Sequence, residues 1–329
     1  MKARLIGLAA LAVVIAGLAG CSGSASTDGT ALVTETRRAV WESPFATGQV
    51  VSTSHYNIYS TATPSTDRLL PAFLEAAYKN YINLTGLPDR PPQPGQAPLT
   101  VYMLGTRREW AALTGKVTGP LAEKFLGIEA GGYCFQGVCV FWDLGPMASL
   151  AVASHEGLHQ FFFHRLKHRL PAWLEEGLCA TAEGYEIAAQ SVRFTPQQNT
   201  MRFSNLRDAL VAGRWIPLGQ LLAMDAGDIA TRPTEEAVGY YGQLWALVQF
   251  IRSREPYRLG LQRLLADAEA GRLDAAMGLT PDAFSALLAK GRLYNQAVGE
   301  KLFRHYICDD LTGFEQAFRP YAARLAKLR

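Results

Sequence analysis

His155-Glu156-Gly157-Leu158-His159 lies inside an apolar run that opens with Leu150-Ala151-Val152-Ala153 and closes with Phe161-Phe162-Phe163. The run reads as a buried helix, and Pro146 stands near its expected first turn, where a missing N–H costs nothing. Positions four apart on a helix are separated by about 6 Å of rise and about 40° of rotation. His155 and His159 therefore face the same way and can grip one metal ion. Glu156 lies one step round the helix, where it can reach a water beside that ion. A zinc hydrolase needs two neutral nitrogen ligands, a third ligand, a water and a base for the water.

The third ligand separates the classes of such sites. A metzincin pattern requires Gly and His three and six positions after His159, and those positions hold Phe162 and Arg165. His164 falls off the ligand face, and both it and His168 read as helix-end cations that suit the dipole. A carboxylate from the following helix remains, within Pro171-Ala172-Trp173-Leu174-Glu175-Glu176-Gly177. Sixteen residues lie between His159 and Glu176, room for a helix end, a turn at Leu170-Pro171 and a new helix start.

With H-E-x-x-H and a downstream glutamate, the chain resembles the gluzincin zinc peptidases, and most closely the aminopeptidase-like and bacterial peptidase MA-like families. Their second motif runs W-L-x-E-G, which Trp173-Leu174-Glu175-Glu176-Gly177 fits. The resemblance implies Zn2+ as cofactor, His155, His159 and Glu176 as ligands, and Glu156 as general base. Glu175 is a rival ligand pointing about 100° away on a helix, and it departs from the asparagine that aminopeptidases often carry there. Glu183, seven residues beyond Glu176, can accept the second N–H of a zinc histidine or be a solvated helix residue. Relatives also show a Tyr-x-Gln-x-Trp run, matched by Tyr241-Gly242-Gln243-Leu244-Trp245. Tyr241, with Tyr240 in reserve, is the candidate donor to an oxyanion or else a packing residue.

Residues 1–20 read as a lipoprotein signal: Lys2 and Arg4, then an apolar run from Leu5 to Gly20, short for a membrane span. Leu18-Ala19-Gly20-Cys21 resembles a lipobox, which implies a lipid anchor on Cys21 and a place in the cell envelope, periplasmic and with Ser22 pointing to the outer membrane. Residues 21–40 read as a flexible tether. Four further cysteines fit an oxidising compartment. Cys134 and Cys139 flank a turn at Gln136-Gly137 and face each other as a non-hydrogen-bonded pair, so a cross-strand disulfide is expected there. Cys179 and Cys308 are then paired by elimination, although spacing alone allows three connectivities. Metal binding by Cys179 is disfavoured because the zinc set is already filled.

The formal charge of +3 falls to about +1 without Lys2 and Arg4, and no basic stripe is present, which argues against nucleic acid as a partner. Alternation over residues 50–60 and 99–104 predicts strands, residues 67–84 and 106–113 predict helices, and residues 131–144 a hairpin. The motif helix is expected over 146–168. Together these predict an α+β chain, with an α/β lobe over 41–145 and a helical catalytic lobe over 146–329. The resemblance implies a thermolysin/aminopeptidase-like zincin, a mixed sheet lobe followed by a mainly helical lobe carrying the zinc site. Its substrate edge strand is then sought in Val138-Cys139-Val140-Phe141-Trp142, which can equally be an interior strand. The activity expected is amide-bond cleavage in a peptide or protein substrate. The alternatives are a non-catalytic zinc-containing envelope lipoprotein that binds a partner, and a cell-wall peptide amidase.

Overall fold

The computed structural model describes residues 29–32, 34–90, 97–129, 131–188, 190–229 and 233–328. The signal segment and Cys21 lie outside the described residues. The chain is α+β, with a mixed sheet and a helical lobe.

Six strands form the main sheet: β2 (Arg37–Glu42), β3 (Thr47–Ser52), β4 (Tyr56–Ser60), β5 (Leu99–Leu104), β6 (Gly132–Phe135) and β7 (Val138–Trp142), in the order β2-β3-β4-β5-β7-β6. The β4–β5 and β5–β7 pairs are parallel and the others antiparallel. A small second sheet joins β1 (Thr30–Ala31), β9 (Ser191–Phe194) and β8 (Tyr185–Ala188). The strand expected over 50–60 is in fact the hairpin of β3 and β4. Its turn is tied by Thr53 N–H to Tyr56 O at 2.9 Å and by the Glu75 carboxylate, which accepts from Thr53 Oγ1 and His55 N–H. The expected tether also needs correction, because residues 37–40 belong to β2 and residues 30–31 to β1.

Helix α1 (Pro64–Thr85) crosses from β4 to β5, and α2 (Arg107–Thr118) and α3 (Ala122–Leu126) follow β5. Thr106 caps α2 by accepting from Glu109 N–H. The sheet faces are sorted by the period-2 rule. In β7, Cys139 and Phe141 join α1 in the larger core, while Val140 and Trp142 join Trp110 and Phe125 on the other face. The β6–β7 hairpin turns at Gln136 and Gly137, both at positive φ (50° and 76°), as a two-residue turn requires. Strand β7 is interior. The sheet edge nearest the motif helix is β6, which corrects the placement of the edge in 138–142.

Helix α4 (Pro146–Arg165) carries the motif and lies on the α1 side of the sheet. It ends before His168, which accepts from Leu273 N–H through Nδ1 instead of closing the helix. Pro171 starts α5 (Ala172–Ala182). The remaining helices are α6 (Thr200–Val211), α7 (Leu218–Ala223), α8 (Ala226–Ile229), α9 (Thr234–Arg252), α10 (Glu255–Ala270), α11 (Leu273–Ala276), α12 (Pro281–Leu288), α13 (Arg292–Tyr306) and α14 (Leu311–Leu325). Buried α9 packs on α5 at Gly177, where a Cβ would lie 2.6 Å from Val248 Cγ2 and 3.0 Å from Leu244 O. The glycine of the second motif is thus a contact between helices. Among the described residues, no helix is long and apolar enough to cross a membrane.

Candidate metal centre

Helices α4 and α5 bring together His155, His159 and Glu176. Glu176 Oε2 lies 3.5 Å from His155 Nε2 and 3.6 Å from His159 Nε2. All three atoms are buried and have no hydrogen-bond partner, and so is Glu156 Oε2. An unpaired buried polar atom costs about 1–3 kcal/mol, so the three that meet at Glu176 Oε2 call for a partner that the protein does not supply. Ligand atoms held tetrahedrally at about 2.1 Å from an ion are about 3.4 Å apart. The two separations from Glu176 Oε2 are of the size that an ion shared with each histidine would give.

The other nitrogen of each ring is held by a carboxylate. His155 Nδ1 donates to Glu183 Oε1 at 2.6 Å, and His159 Nδ1 to Glu175 Oε1 at 3.0 Å. This fixes both rings with Nε2 free for metal. Glu175 and Glu176, about 100° apart on α5, reach opposite nitrogens of the same imidazole. Glu183 is held in turn by Arg202, whose Nη2 and Nε donate to its two oxygens at 2.5 and 2.7 Å, and by Asn199 Nδ2 at 3.0 Å. Asn199 also caps α6, accepting from Arg202 N–H.

Electrostatics agree with this arrangement. Burial alone would depress both histidines, but the surrounding carboxylates, and at His159 also Cys179, outweigh it and raise both pKa values. Burial opposes ionisation of Glu176 as well, yet the two histidines hold it far below the usual carboxylate range. Burial pushes Glu156 up to about 7, against the pull of the histidines and of the nearby Cys134 backbone N–H.

Cys179 was not among the expected ligands. One ligand atom from each of His155, His159 and Cys179 lies within 4.8 Å of the other two, so this buried group could also hold a metal. Glu176, whose Oε2 lies 3.5 and 3.6 Å from the two Nε2 atoms, stands outside that group, so Glu176 and Cys179 are alternative third ligands. Neither expected disulfide is present: all four described cysteines are free, and no pair lies at bonding distance. Cys134 and Cys139 do face each other in register, but the Cys139 thiol donates to Glu156 O at 3.4 Å. Cys179 faces His159, whereas half-buried Cys308 follows α13 and contacts Asp310 O.

Tyr240 and Tyr241 on α9 are both buried, and burial followed by the charge of Glu176 raises both phenols well above their ordinary range. Arg202 stacks on the Tyr241 ring at 5.1 Å, and the Tyr240 hydroxyl has no hydrogen-bond partner. His164 Nε2 faces Gly137 O at 3.2 Å on the hairpin turn. His155, Glu156, His159, Glu176 and Cys179 are each 2% exposed or less.

No protein-family model, characterised protein or solved structure matched the chain.

Proposed function

We propose that this protein is a zinc-dependent metallohydrolase of the gluzincin kind, cleaving amide bonds in a peptide or protein substrate. The observation that carries the reading is the meeting of three buried, unpartnered atoms from His155, His159 and Glu176, with Glu156 Oε2 also buried and unpartnered. His155, His159 and Glu176 would hold the ion, and Glu183 and Glu175 keep the two rings aimed. The ion, when bound, supplies Lewis acidity and makes a nucleophile available near neutral pH.

Glu156 is the general base. Its pKa near 7 in the metal-free protein suits proton transfer at neutral pH. Its Oε2, which has no hydrogen-bond partner, would take a proton and return it to the leaving amine. Tyr241 is the proposed donor to the developing oxyanion, with Tyr240 and its unpartnered hydroxyl as the alternative. The mixed sheet ahead of the motif helix is compatible with a thermolysin-like zincin, with β6 as the edge along which an extended substrate would lie. The sequence of the leader supports a lipid on Cys21, a tether to a bacterial membrane and a site of action in the envelope.

The test is metal analysis of purified protein beside a peptide-library cleavage assay with and without chelator. Glu156→Gln is expected to keep stoichiometric zinc and lose turnover, whereas His155→Ala loses both. Turnover by the Gln variant equal to wild type overturns the base assignment. Deep burial of all the groups favours a second reading, a zinc centre serving structure or partner binding without turnover. Zinc bound with no cleavage of any peptide, cell-wall peptides included, would establish that one instead.

A further inference from the structure

A cleft opens between the C-terminal end of α9 and the segment that follows β9. Its walls carry Thr195, Gln197, Gln198, Gln249, Arg252 and Ser253, and its volume is about 390 Å³, within the ~300–1,000 Å³ of small-molecule sites. We propose that this cleft binds a small oxyanion, a carboxylate or a phosphate, with the Arg252 guanidinium as its anchor. The site shares no residue with the candidate metal centre and stands or falls apart from it.

No aspartate or glutamate lines the cleft, so its charge is that of Arg252. Arg252 is half-buried at the end of α9 and donates through Nη1 to Leu84 O at 2.5 Å. That neutral carbonyl is its one hydrogen-bond partner among the described residues, which leaves the Nε–Nη2 edge without an acceptor. Burial, and then the nearby Arg258, hold its pKa below the ordinary arginine value. Arg165 and Arg202, by contrast, each grip a glutamate. A partly desolvated cation that no protein carboxylate balances is costly, and an anion in the cleft would balance it.

The other walls add polar groups to the same cleft. Thr195 Oγ1 is buried and has no hydrogen-bond partner. Gln249 is buried, and its Nε2 makes only the longer contacts to Pro196 O at 3.2 Å and Thr181 Oγ1 at 3.4 Å. Gln197 and Gln198 are exposed and bring two further amides. Hydroxyls and amides alone would suit a neutral polar ligand, and the unbalanced guanidinium decides for an anion. The Nε–Nη2 edge grips two oxygens of one group at once, the geometry of a carboxylate or a phosphate and not of chloride.

Calorimetric titration of the full chain with inorganic phosphate and, separately, with succinate, at an ionic strength held constant with chloride, tests this without an activity assay. Saturable binding of at least one anion, millimolar or tighter, is expected, and the anion that binds identifies the source of the oxygens. Arg252→Gln should weaken it by about 10- to 100-fold, as for loss of a hydrogen bond to a charged group. Arg304→Gln, at a surface arginine paired with Glu300, should leave it unchanged. Binding of equal strength in Arg252→Gln puts the anion elsewhere, the metal centre included, and overturns the proposal. Absence of saturable binding of either anion overturns it too. If Arg252→Gln does not fold, Arg252→Lys, which loses the fork, and Thr195→Val, which loses the hydroxyl, decide. Weaker binding in either supports the site, and unchanged binding in both overturns it.

Discussion

Arg202 grips both carboxylate oxygens of Glu183, at 2.5 and 2.7 Å, and Glu183 passes that constraint to His155 Nδ1 at 2.6 Å. One end of the candidate centre is thus anchored outside α4 and α5, on the first turn of α6. The arginine does not touch the ligand atoms, yet it sets the charge and orientation of the group that does the aiming.

Removing this clamp should be costly. Arg202→Met leaves the buried Glu183 carboxylate without its cation, a change of about 3–5 kcal/mol. Metal affinity should fall as well, by about 10- to 100-fold, as for other outer-shell partners. Denaturant titration and metal competition check the two effects. Unchanged values in both would show that the clamp is idle.

The same pair shapes the acid limb of stability. Burial pushes Glu183 up, but Arg202 and His155 overcome it and hold its pKa at about 2, below its ordinary 4.5. A carboxylate with a depressed folded pKa stabilises above its unfolded value and loses that contribution as pH falls through the folded one. The loss therefore spans about pH 5 to 2 and amounts to at most about 3 kcal/mol. Glu183→Gln should flatten this limb in unfolding curves of the metal-free protein.

Metal uptake should be opposed by protons. Both histidines are shifted upward by their carboxylate neighbours, so the metal-free site retains protons that binding must expel. Affinity is expected to climb with pH through and above the ordinary histidine range. Competition titrations across that range measure the slope, and calorimetry in buffers of different ionisation enthalpy counts the protons. A pH-independent affinity would contradict the arrangement.

Gly177→Ala should destabilise the helical lobe by about 1–3 kcal/mol through overpacking. The added methyl meets Val248 and the Leu244 carbonyl on α9, so α5 must retreat and carry Glu176 with it. Thermal unfolding together with metal affinity should show both losses, while a purely thermal effect would mean that α5 moves without turning.

Helical spacing made His155, Glu156 and His159 legible, the resemblance to the W-L-x-E-G motif pointed to Glu176, and Glu183 stood on a usable face with a solvated position as the alternative. The role of Glu175 was not legible, since it depends on how α5 crosses α4. Arg202 and Asn199 gave no local signal either, because their partner lies on another element and is met only after folding. Cys179 was set aside as half of a disulfide by counting cysteines, and counting does not know which thiols meet. In the sheet, Arg37–Glu42 sets three charged residues beside Ala39, Val40 and Trp41 and is largely exposed, as an edge strand is, so it carries little strand signal. The β3–β4 turn has no Gly or Pro signal, and it is Glu75 from α1 that closes it.

The Cys134 amide belongs to the non-hydrogen-bonded side of the hairpin, so it points away from β7, and the Glu156 carboxylate lies near it. A peptide zippering onto β6 at that register would compete for the same amide. Arrival of a guest and release of the carboxylate would then be a single exchange, which ties readiness to occupancy without any moving flap.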